Sequence, residues 1–178
     1  MGKDEIKVLH IDSEKSWRGG QQQAVYLYER LLKKNIFTNF VCLPSSKIYE
    51  YCCDVGLPSI PLRMSGELDI KAAYKIAGIC KRNGYNILHL HSAHSMAIGL
   101  LAKLFYRKLK LIGMKRVDFP ISKNLLSRIK YTSSWMNKIV CISEGVKNVL
   151  IEDGIPESKL MIIHSGIDLN KFDEVDND

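Results

Sequence analysis

The chain has little of what marks fibrous, disordered or membrane-embedded proteins. Its 178 residues include 5 Pro and 12 Gly, too few for a collagen-like repeat or a low-complexity linker. No apolar run approaches the ~18 residues that a membrane span requires; the longest, Met96 to Tyr106, is broken by Lys103. The opening MGKDEIKVLH carries two acids and leads directly into a strand-like run, unlike a secretory signal. Cysteine is scarce and unpatterned. Cys42, Cys52, Cys53, Cys80 and Cys141 form no C-x-x-C pair, and three of them lie inside apolar runs, where a thiol behaves as a small hydrophobe. Together these absences predict one soluble, reduced, cytoplasmic domain.

What is present is an ordinary globular composition, 46% hydrophobic and 25% charged, with a net charge of +7. The charge is unevenly placed. Between Lys103 and Lys130 there are nine Lys or Arg (Lys103, Arg107, Lys108, Lys110, Lys115, Arg116, Lys123, Arg128 and Lys130) against one acid, Asp118. Such a stretch suits an anionic membrane, a phosphorylated substrate or a plain solvated surface. No helix-turn-helix, zinc or aromatic-stacking pattern accompanies it, so no nucleic-acid partner is expected.

Apolar periodicity alternates between two and about 3.6 residues along the chain. Strands are predicted at Ile6–Ile11, Phe37–Leu43, Ser59–Leu62, Ile87–His91, Leu109–Arg116, Lys138–Ile142 and Leu160–Ile163. Helices are predicted from Gly19-Gly20, at Lys47–Cys53, after an Asp69 cap, at Ala93–Tyr106, at Ser122–Ser134, and at Glu144–Glu152 after a Ser143 cap. Strands separated by helices imply βαβ crossovers and a doubly wound, mostly parallel, Rossmann-like α/β sheet. The acidic segment Asp173–Asp178 has no core-forming pattern and reads as a tail or linker.

Ligands of such sheets lie at the carboxyl ends of the strands, and the loops there hold most of the unusual residues. Gly19-Gly20 at a helix start either cradles a phosphate or makes a tight turn. The spacing fits neither G-x-G-x-x-G nor the Walker pattern, which argues against nicotinamide binding and nucleotide hydrolysis. His89 and His91 share one strand face with His94 just beyond, so either a metal trio assisted by His10 and Asp12 or hydrogen-bonded packing histidines are open readings. Arg116 can hold a phosphate or carboxylate, with Asp118 orienting it, or the two form an ion pair before Pro120.

The succession Gly19-Gly20, His89-Leu-His91, Cys-Ile-Ser143-Glu-Gly-Val146, Gly154-Ile-Pro156 and His164-Ser-Gly-Ile-Asp168-Leu-Asn-Lys-Phe172 resembles glycosyltransferase family 4. The resemblance runs from Ile6 to Phe172. It implies a two-domain GT-B enzyme that transfers a sugar with retention of configuration, taking a nucleotide sugar as co-substrate and needing no metal or resident cofactor. Residues 1–172 would be the acceptor-side N-terminal domain, and 173–178 the link to an absent C-terminal donor-binding domain, leaving this chain inactive alone. By the same resemblance Gly19, Gly20, Ser143 and Glu144 would face the donor and its phosphates. Arg18, Gln21 and His91 would meet a glycan or lipid-linked acceptor, and His94, Arg116 and Asp118 would carry catalysis. Arg116-Val-Asp118 departs from the family, many members of which place a histidine there. The rival readings are a non-catalytic glycan-binding or partner-subunit module and a histidine-bound metal hydrolase.

Overall fold

The structure is a computed structural model in which residues 5–121 and 124–166 are described. The expected residues 173–178 tail, the Asp168–Phe172 end of the last motif and Lys123 lie outside the described residues. The elements follow the predicted order: β1 (Lys7–Ile11), α1 (Gly19–Lys33), β2 (Phe37–Cys42), α2 (Lys47–Asp54), β3 (Ser59–Pro61), α3 (Ile70–Asn83) and β4 (Ile87–Leu90). They continue with α4 (Ala93–Phe105), β5 (Lys110–Lys115), α5 (Leu125–Thr132), β6 (Met136–Cys141), α6 (Glu144–Glu152) and β7 (Leu160–Ile162). α5 starts later than the sequence pattern suggested, because Asn124 caps it by accepting from the Leu126 amide. Asp69 and Ser143 cap α3 and α6 as read, through the Ala72 and Val146 amides.

The seven strands form one parallel sheet in the order β3-β2-β1-β4-β5-β6-β7. The order reverses between β1 and β4, which places the topological switch point there. Alternation along each strand divides the core in two. Leu9, Ile11, Leu88, Leu90, Leu111 and Ile139 point to the larger apolar cluster beneath α3, α4 and α6. Phe40 and Cys42 point the other way, into a smaller cluster with Ala24, Val25 and Tyr28 of α1 and Ile48 and Cys52 of α2. α4 lies close to the sheet because Gly99 has no side chain: a Cβ there would sit 2.7 Å from both Leu90 methyl groups.

On the second face α1 and α2 cover β2 and β3. Farther across that face, Met114, Val140, Ile142 and Ile163 line a cavity rather than a helix interface. The fold therefore leaves half of one sheet face open beside the switch point.

The basic stretch does not form one continuous surface. Lys115 is buried over the Tyr131 ring, and Lys130 is buried against Glu67 at 2.6 Å. Arg116 turns into the open half-face, while Arg107, Lys108, Lys110 and Arg128 are exposed. Among the described residues no helix is long and apolar enough to cross a membrane. All five cysteines are free, and only Cys53 is exposed.

Candidate functional site

β1 and β4 pair so that His10 stands directly opposite His89. Alternation then turns His10, His89 and His91 to the same face, under α1. The His10 ring stacks on Phe40 and meets the Tyr28 ring edge-on. His10 Nδ1 lies 2.8 Å from His91 Nε2, and His91 Nδ1 lies 3.1 Å from Arg116 Nη2. Burial, before all else, holds all three imidazoles neutral. It takes His89 down to about 3, aided by the Arg116 charge, and lowers His10 and His91 well below the ordinary value.

One nitrogen of each of these three histidines falls within a 4.8 Å cluster, a spacing that a cation can bridge. The hydrogen bonds favour a different assignment. Arginine has only donors, so His91 Nδ1 accepts from Arg116 and the neutral ring carries its proton on Nε2. That proton is donated to His10 Nδ1, and His10 in turn carries its own proton on Nε2. A protonated His91 Nε2 is not a metal ligand. The trio foreseen as His89, His91 and His94 also changes membership. His94 sits in the first turn of α4, outside the cluster, and His10 takes its place.

Arg116 is fixed at the mouth of the site. Its Nη1 donates to the His91 carbonyl at 2.8 Å, and its Nη2 meets His91 Nδ1. The side chain lies across the start of α1: a Cβ on Gly20 would be 3.3 Å from Arg116 Cδ and 3.4 Å from Nη1. The carboxylate that offsets its charge is Asp12 at the end of β1. No ion pair joins Arg116 to Asp118, which is exposed. β5 ends at Lys115, whose buried ammonium donates to the Phe119 carbonyl at 2.8 Å, while the Ile121 amide donates to Asp153. Both contacts draw the 117–121 loop to the α5–α6 side, away from Arg116.

Asp12 is itself held in place. It accepts from the Glu14 amide and from Gln21 Nε2 at 2.7 and 3.0 Å, and burial raises its pKa against those hydrogen bonds. Gln21, expected at the acceptor, is instead a buried brace: its other amide atom accepts from the Arg18 backbone. Arg18 is the exposed N-cap residue of α1, and Gly19, exposed beside it, has free space where a side chain would be. The first amides of α1 therefore lie next to Arg116 with no intrahelical acceptors, a setting that favours an anion.

Beyond Arg116 opens a cavity of about 450 Å³. Its floor is Met114, Val140, Ile142 and Ile163, and Leu27, Arg30 and Lys33 of α1 form a wall. His89 and His91 reach it from β4. One end is closed by the segment after β7, where Gln23 and the Gly166 backbone exchange two hydrogen bonds and His164 Nδ1 donates to the Ile142 carbonyl. Ser143 caps α6 and Glu144 follows it, exposed, at the end of β6. Sequence reading gave no role to Gln23 or Arg30, which were legible as the polar stripe of α1, and offered His10 only as an aid to a histidine-bound metal.

A parallel sheet of this order, with a glycine-led helix at its switch point, defines a Rossmann-like α/β domain. The chain belongs to glycosyltransferase family 4, whose sequence profile matches residues 17–171. It is 22% identical over 185 residues to the Escherichia coli UDP-Gal:alpha-D-GlcNAc-diphosphoundecaprenol alpha-1,3-galactosyltransferase, covering 94% of this chain and 46% of that protein. A glycosyltransferase from Rickettsia africae shares the fold with a TM-score of 0.79 at 18% identity, over 99% of this chain and 47% of its own. Anabaena HepE, solved with UDP and glucose, matches with a TM-score of 0.71 at 14% identity, over 93% of this chain and 46% of its own. The chain thus spans about half the length of the relatives it matches.

Proposed function

We propose that this domain supplies the acceptor side of a retaining glycosyl transfer from a nucleotide sugar to a glycan or lipid-linked acceptor. The observation that carries the reading is Arg116, held by two contacts to His91 and laid across Gly20 where α1 begins. In the transfer, the bond between the anomeric carbon and the phosphate oxygen breaks while a bond to the acceptor oxygen forms. The acceptor hydroxyl proton passes to the departing phosphate, and a nucleoside diphosphate leaves. Charge therefore accumulates on the diphosphate, where Arg116 and the first amides of α1 stand ready to stabilise it without reorganising. The acceptor lies along the cavity, with Arg30 and Lys33 available to its anionic groups. Since the chain spans about half the length of its relatives, the rest of the donor site belongs to the other half, and these residues alone bind weakly without turnover.

HepE was solved with UDP and with UDP-glucose, and the Escherichia coli relative is named for UDP-Gal and a diphosphoundecaprenol acceptor. Both support a UDP-hexose donor, and the latter supports a lipid-linked acceptor. Val117, Phe119 and Leu125 are exposed apolar side chains, and Arg128 of α5 is exposed as well, groups that suit peripheral contact with an anionic membrane. The test is UDP release from a panel of UDP-hexoses by the protein that carries this chain, with and without Arg116→Met. The variant is expected to lose at least a hundredfold in kcat, the scale of one removed oxyanion donor. Loss of less than threefold rejects the reading.

A further inference from the structure

We infer that His10, a residue no substrate can reach, is a positioning residue: by accepting from His91 Nε2 it supports the His91 tautomer that anchors Arg116. The inference rests on the anion-binding reading of Arg116 given above, but its first readout does not depend on it. The chain of contacts is directional. Arg116 donates to His91 Nδ1, so His91 Nε2 must donate, and the acceptor it meets is His10 Nδ1 at 2.8 Å. Were His91 to take the other tautomer, its Nδ1–H would point at the Arg116 N–H groups. Donor would oppose donor, and the guanidinium would lose its side-chain anchor. Arg116 excludes that tautomer, and His10 Nδ1 supplies the acceptor that the remaining one needs at a buried nitrogen.

His10 brings an orphaned polar group of its own into the core. It is fully buried, and its Nε2, which carries the remaining proton, has no hydrogen-bond partner. A buried donor left unpaired is destabilising. A leucine or phenylalanine could keep the contacts with Phe40 and Tyr28, but it would leave the buried His91 Nε2–H without its acceptor. Here a nitrogen stands where the apolar cluster calls for carbon, and the group it touches is the one that orients the arginine.

The experiment uses the protein that carries this chain, with ¹⁵N-labelled histidine for NMR and inorganic pyrophosphate as the probe for calorimetry. In the wild type, His91 is expected protonated on Nε2 and bare on Nδ1, with His10 protonated on Nε2. His10→Leu, which leaves the buried His91 Nε2–H without an acceptor, should show mixed His91 tautomers and bind pyrophosphate at least tenfold more weakly. His10→Asn, whose Oδ1 occupies roughly the place of Nδ1, should restore the tautomer and bring affinity back to within threefold. A merely structural role would move Tm and leave the tautomer and its asparagine rescue unaffected.

The role is overturned if wild-type His91 carries its proton on Nδ1, if the protein retains one equivalent of zinc on the trio after dialysis, or if folded His10→Leu binds pyrophosphate as the wild type does. Failure of the underlying reading looks different. Arg116→Met that still binds pyrophosphate rejects the diphosphate site, while the tautomers remain as assigned.

Discussion

Three neutral histidines in one small volume make the site acid-sensitive. In the unfolded chain they take up protons near ~6.5, whereas burial keeps His10, His89 and His91 neutral far below that value, His89 down to about 3. Between those limits the unfolded chain binds more protons than the folded one, so stability falls as pH falls. The histidine contribution is fully present above ~6.5 and is lost progressively below it, by up to ~1.4 kcal/mol per pH unit for each histidine. Asp12 opposes this as a single group, since its raised pKa lets the folded state hold a proton longer. Tm should therefore drop steadily from pH 7 to pH 5, and His89→Leu should flatten the slope. A Tm that is level over that range contradicts the neutral, buried assignment. The same residues show why Arg116 and Gly20 act together: a methyl on Gly20 would press on the guanidinium stem that His91 holds.

At the scale of elements, α4 and α6 give opposite expectations for the same chemical change. Gly99→Ala would bring a methyl 2.7 Å from the Leu90 side chain, and overpacking of that kind costs about 1–3 kcal/mol. Gly145→Ala, in the first turn of α6, would meet only Ser143 Oγ at 3.8 Å and should gain about 0.4–1 kcal/mol by restricting the unfolded chain. Urea midpoints measure both, and a destabilised Gly145→Ala or a neutral Gly99→Ala would contradict this packing. The elements themselves were readable because their signals are local: alternation for strands, caps at Asp69 and Ser143, breaks at Gly and Pro. The site was only partly readable because its contacts are not. Arg116 and Asp118, two residues apart, invite pairing, but β5 ends at Lys115 and the loop follows that lysine to the other face. His10 and His91 are 81 residues apart and meet only because β1 and β4 are neighbours. The family resemblance put Gln21 at the acceptor, and the α1 capping geometry turns its side chain inward to Asp12.

For the molecule as a whole, the placement of exposed apolar groups matters more than net charge. Phe119, in the loop after β5, and Leu125, at the start of α5, are 70% and 72% exposed. Large apolar side chains at that exposure favour an interface over bulk water. The acceptor class proposed here would present its sugar from a membrane surface, and these side chains would let the domain rest on it. Electrostatic attraction to such a surface is long-ranged and screened, whereas apolar contact is not. Binding to vesicles containing anionic phosphatidylglycerol should therefore weaken steeply between 50 and 300 mM salt, values that bracket physiological screening, yet keep a residual salt-resistant component. Phe119→Ser with Leu125→Ser should remove that component without changing Tm, because neither side chain packs in the core. Equal binding to neutral and anionic vesicles, or wild-type binding by the double variant, would rule out these side chains as the contact. The glycosyl-transfer reading would stand, because it rests on Arg116 and on the family match.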